Sequence, residues 1–160
     1  MARQQYETDK DLANEKIAAE KWLANSIYPI IDDCEVVKIK DHRADYLARY
    51  MNGEPICLLE IKCRKMSYGQ YDTIFVAMHK YRSLIQLSKE KNIPAYLVWH
   101  LKNDDSMVFT NVETEPDFSA VGGRTVQTRD AYDVEAMAHW SFTRVTSIHE
   151  ARINDFEVLA

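Results

Sequence analysis

The dipeptide Asn52-Gly53 lies between two extended runs, residues 44–51 and 55–63, and this arrangement narrows the fold more than any other feature. An Asn-Gly pair supplies the positive φ angles of a tight two-residue turn, so the spacing predicts a β-hairpin. With Asn52 and Gly53 as the turn, position 51 faces 54, 47 faces 58, and Asp45 faces Glu60 on one side of the sheet. A four-residue loop centred on the same bond keeps that register. Like charges directly opposed destabilise a sheet unless something compensates, and two carboxylates brought together by register suit a hard cation such as Mg²⁺. Lys62, two residues beyond Glu60, points to the same face. Cys57, Leu59, Ile61 and Cys63 alternate to the opposite, apolar face. The strand is therefore expected to bury one side and expose its charged side.

The surrounding periodicities supply the other elements. Residues 9–25 read as an amphipathic helix with Leu12, Ala18, Ala19, Trp22 and Leu23 on one arc. Residues 34–40 alternate as a strand, and residues 71–91 read as a second helix with Ile74, Met78, Tyr81 and Ile85 on its inner stripe. Asn92 and Pro94 end that helix. Residues 94–101 form a mostly apolar strand and 106–112 another. Further on, Gly122-Gly123 marks a turn, Arg124–Thr128 a short strand, and Asp130 with Asp133 a helix start leading into VEAMAHW. Helix–strand–strand–strand–helix–strand order predicts an α/β fold, a central mixed β-sheet flanked by helices. With 160 residues, a single domain is expected over 1–160, with its core at roughly 9–112 and an accessory part at 113–160.

Composition closes off other classes. The start, MARQQYETDK, is too polar for a secretory signal, and no apolar run approaches the roughly 18 residues of a membrane span. No membrane association and a cytoplasmic location are the expectations. Cys34, Cys57 and Cys63 form no CxxC pair and have no histidine at zinc spacing, so they read as small buried hydrophobes. The five histidines have neither metal spacing nor triad context. A net charge of −5 argues against gripping nucleic acid by bulk electrostatics. It does not argue against clustered acids whose bound cations face a phosphate. Neither GxGxxG nor GxxxxGK[ST] occurs.

Asp45 followed by Glu60-Ile61-Lys62 on the next strand of a hairpin resembles the D…(D/E)xK signature of the PD-(D/E)xK, restriction-endonuclease-like nuclease superfamily. Glu60-Ile61-Lys62 is the only acidic-x-Lys triplet in the sequence. Ala44 stands where the family's proline would be. The resemblance covers roughly residues 9–112 and implies a restriction-endonuclease-like α-β-β-β-α-β core. It also implies a Mg²⁺-dependent deoxyribonuclease, an endonuclease rather than an exonuclease, in which Mn²⁺ can substitute. On that resemblance Asp45 and Glu60 hold one or two cations with the backbone carbonyl of Ile61, and Lys62 orients the attacking water or stabilises developing charge. An acidic residue on the first helix often completes the metal sphere in such proteins. Glu15 and Glu20 are the candidates, and Glu15, within the inward arc, is favoured over Glu20 at its margin.

Weaker signals surround this set. Lys80 flanks the inward stripe of the second helix, within reach of a phosphate beside the site. Arg64, Lys65, Tyr68 and Gln70 follow the catalytic strand and could line a DNA groove. DNA is the expected partner, and a small domain without a DNA-reading module would gain footprint by forming a homodimer. The alternative function is a non-catalytic DNA-binding or protein-assembly module on the same fold, against which the joint presence of Asp45, Glu60 and Lys62 argues.

Overall fold

The computed structural model describes residues 9–25, 33–123 and 134–148. The elements run α1 (Asp9–Asn25), β1 (Cys34–Lys38), β2 (Tyr46–Tyr50), β3 (Pro55–Arg64), β4 (Thr73–Ala77), α2 (Met78–Lys91), β5 (Ala95–Leu101), β6 (Ser106–Asn111), β7 (Phe118–Gly123), β8 (Val134–Ser141) and β9 (Thr146–Ser147). Six strands form a mixed sheet in the order β1-β2-β3-β5-β6-β9, and three form a smaller sheet in the order β4-β8-β7. In the large sheet β3 and β5 are parallel, joined through β4 and α2, as a parallel pair requires a crossover. The α/β fold with a central mixed sheet and a helix on each side is what the periodicities predict.

Alternation along β3 divides the core in two. Cys57, Leu59 and Ile61 pack with Ala18, Ala19, Trp22 and Leu23 of α1. Leu58 lies in the opposite cluster with Trp99, Leu84 and Leu87 of α2, Ile74 and Val76 of β4, and Trp140 of β8. The small sheet thus covers the second face beside α2. Trp99 Nε1 donates to the Phe75 carbonyl at 3.0 Å, tying the two sheets together.

Three expectations are corrected here. The segment 71–91 is not one helix: Thr73–Ala77 is strand β4, and α2 begins at Met78. Ile74 and Val76 are buried at period 2, and in TIFVA the β-branched residues favour the extended form. Ile74 and Met78 are also four residues apart, which imitates a helical stripe. Met78–Lys91 does end as expected, with Asn92 in the left-handed region at φ 55° and its N–H bonded to the Ser88 carbonyl. In the C-terminal part Gly122-Gly123 is not a turn but the end of β7, paired with Glu135 and Val134. VEAMAHW is strand β8 rather than helix, clamped between β4 and β7; long-range pairing overrides the local start signal. The predicted strand Arg124–Thr128 and the helix start at Asp130–Asp133 lie outside the described residues. All three cysteines are free thiols, and Trp22, Trp99 and Trp140 are fully buried. Among the described residues no helix is long and apolar enough to cross a membrane.

Candidate active site

The hairpin sets the site, by a route different from the expected one. Tyr50 rather than position 51 closes the turn: its N–H donates to the Glu54 carbonyl at 2.9 Å, leaving the three-residue loop Met51-Asn52-Gly53. Gly53 takes φ 95°, which glycine adopts without strain, and Asn52 Oδ1 accepts the Glu54 N–H at 2.9 Å. A bulge follows, with Arg49 against Pro55 but Ala48 against Cys57, so Ile56 is the extra residue. Loop and bulge offset each other, and Leu47 faces Leu58 as the two-residue turn predicts.

One residue beyond the Tyr46–Leu59 pair, the register sets Asp45 against Glu60. The Asp45 N–H donates to the Leu59 carbonyl at 2.9 Å, and Asp45 Oδ2 accepts the Ile61 N–H at 2.8 Å. The loop before Asp45 is pinned by Arg43, which bonds Asp41 at 2.7 Å and Glu90 of α2 at 3.0 Å; Arg43 holds the Asp41 carboxyl far below its usual range.

The burial of the charged face corrects the expectation of an exposed side. Glu60 is only 1% exposed, because β5 pairs on one flank, β2 on the other, and α2 with the small sheet covers the face. Burial pushes the Glu60 carboxyl up to about 8, against the opposing pull of Lys62; Asp45 raises it further and Lys80 lowers it. Glu60 Oε2 is buried with no hydrogen-bond partner. A buried carboxylate oxygen without a donor is costly, and a hard divalent cation shared with Asp45 would compensate it. The donor set therefore fits a divalent cation. Two carboxylates are nevertheless all that meet: among the described residues no group of three or more His, Cys, Asp or Glu side chains is poised to hold a metal.

The structure brings Asp45, Glu60, Lys62 and Lys80 together. Lys62 lies half-buried on β3 beside Trp99, and Lys80 Nζ reaches the His42 carbonyl at 3.4 Å. Glu15 adjoins that group through Lys38, which lies against both Glu15 and Asp45. The Glu15 side chain is 14% exposed and its Oε2 lies 3.9 Å from Lys38 Nζ, while Glu20 is exposed. Arg64 is half-buried, 5.9 Å from the Phe75 ring centroid. Lys65 is exposed, and Tyr68 is exposed with its ring against Phe142. Gln70 Oε1 accepts the Ser67 N–H within the same loop. Sequence reasoning missed Lys38, whose Nζ is also 3.6 Å from Asp45 Oδ1. Extending the alternation of residues 34–40 to its last charged positions would have raised it.

The fold is similar to that of a nuclease from a fusselovirus, with a TM-score of 0.51 at 11% identity over 99% of this chain and 100% of that one. Hjc, a Holliday junction resolvase from the archaeal hyperthermophile Archaeoglobus fulgidus, aligns with a TM-score of 0.44 at 13% identity, over 66% of this chain and 78% of its own. Comparison with curated proteins returns no match. A family model described as "Phage putative PDDEXK endonuclease" matches residues 1–148, from α1 through β9. That span contains the whole hairpin and its acidic pair, and the chain belongs to this phage PD-(D/E)xK endonuclease family.

Proposed function

We propose that the chain cleaves phosphodiester bonds within DNA, using Mg²⁺, for which Mn²⁺ can substitute. The observation that carries this reading is Glu60, a carboxylate 1% exposed beside Asp45, with one oxygen left without a donor. Such a pair is stable as a charged site only with a cation. Asp45 and Glu60 would hold it, with the Ile61 carbonyl as a further ligand. When bound, the cation polarises the phosphate and lowers the pKa of the attacking water. Asp45 is oriented for this by the Ile61 N–H, which fixes Oδ2. Lys62, on the same face as Glu60, orients the water or meets the negative charge that develops at phosphorus.

Lys80, close enough to act on Glu60, would hold a phosphate beside the reacting one. Lys65 and Tyr68, both exposed, would contact the DNA backbone where it leaves the site, and Arg64 would do so from the end of β3. A homodimer would extend this short footprint. The test is incubation of pure protein with linear, nicked, branched and single-stranded DNA, in Mg²⁺, in Mn²⁺ and in EDTA. Cutting in either cation and none in EDTA is expected. Undiminished cutting in EDTA would overturn the reading.

A further inference from the structure

Lys38 ends β1 and is held from three sides. Its Nζ lies 5.0 Å from the centroid of the Tyr46 ring, its register partner on β2. It lies 3.6 Å from Asp45 Oδ1 and 3.9 Å from Glu15 Oε2. A strand lysine whose side chain is 48% exposed can extend into water. This one instead sets its ammonium between two carboxylates from different layers, Glu15 on α1 and Asp45 just before β2. The oxygens of Asp45 are thereby divided, Oδ2 accepting the Ile61 N–H and Oδ1 facing Lys38. The lysines that act on Glu60 are different ones, Lys62 and Lys80.

We propose that Lys38 holds the site to a single divalent cation: its ammonium takes the place between Glu15 and Asp45 where a second cation would sit. This rests on the reading of Asp45 and Glu60 as the cation-holding pair. Two facing carboxylates attract any cation, and a tethered ammonium supplies the charge without requiring a coordination sphere. A dication brought to the same place would meet twice the repulsion of two unit charges at that distance. Glu15 is then a positioning residue: it anchors the ammonium and does not ligate the metal. The Tyr46 ring, only 3% exposed, fixes the lysine stem beneath it.

Mn²⁺ titration of the full chain, following free Mn²⁺ by electron paramagnetic resonance, reads the stoichiometry directly. One Mn²⁺ per chain is expected for the wild type and for Lys38→Arg, which keeps the charge. Two are expected for Lys38→Met, which keeps the stem but not the charge. The second should disappear again in Lys38→Met combined with Glu15→Gln. One Mn²⁺ per chain in Lys38→Met, or two in the wild type, would overturn the proposal. A wild type without any Mn²⁺ site that Glu60→Gln abolishes would overturn the underlying cation-pair reading instead.

Discussion

On the face of β3 that meets α1, Cys57, Leu59 and Ile61 are each no more than 1% exposed and pack against Ala18, Ala19 and Trp22. On the opposite face Leu58 is buried to a similar degree, and the next position on that side is Glu60, also at 1%. The two faces are equally withdrawn from water. The apolar face gains free energy from every residue buried, while the charged face holds a carboxylate that burial opposes. Packing that would be ordinary for leucine here encloses a carboxyl group. Burial of β3 thus serves stability on one side and, on the other, pushes the Glu60 carboxyl up.

Removing the charge on the acidic face should have the largest effect. Asp45→Asn and Glu60→Gln should each lower DNA cleavage by on the order of 10³-fold, since the cation's charge stabilisation amounts to several kcal/mol. Single-turnover assays with circular DIchroism confirming the fold will measure this. Lys62→Ala comes next, with a loss of about 10²–10³-fold in turnover, the scale for removing one charge-stabilising donor. Its calorimetric Mn²⁺ affinity should stay near the wild-type value, because Lys62 acts on the transition state rather than on the cation. On the other face the effect changes kind. Leu59→Ala should destabilise the fold by about 2–5 kcal/mol while turnover per folded molecule is retained, which denaturant melts and active-site titration together will show.

The smallest expected effect is a dependence of stability on pH. The Glu60 carboxyl stands at about 8 in the fold against its ordinary value of 4.5. Between those values the folded, metal-free protein binds more protons than the unfolded chain, so stability falls as pH rises. The contribution is fully present below about 4.5 and lost as pH passes about 8. Melting temperatures in EDTA should therefore decline from pH 5 to pH 8 more steeply in the wild type than in Glu60→Gln.

Much of the site was legible because it depends on local register. Asn52-Gly53 marks the hairpin, and the facing of Asp45 and Glu60 follows even though the loop is one residue longer than expected, because Ile56 bulges out to compensate. The burial of Glu60 was not legible, since it comes from the parallel pairing of β3 with β5 and from cover by α2 and the small sheet. TIFVA and VEAMAHW were misread for a related reason. Their strand form depends on pairing with each other, residues 73–77 against 137–141, which no local window contains. Lys38 was missed because its partners come from α1 and from the residue before β2.

If Glu60 is a buried charge held for a cation, thermal stability at pH 8 will report it. Wild type and Glu60→Gln would be melted in EDTA and in Mn²⁺. In EDTA Glu60→Gln should be the more stable, because the substitution relieves a buried carboxylate with no donor at Oε2. Mn²⁺ should then raise the wild-type melting temperature and leave that of Glu60→Gln nearly unchanged. A Glu60→Gln protein that melts lower than wild type in EDTA and gains as much from Mn²⁺ would contradict the account.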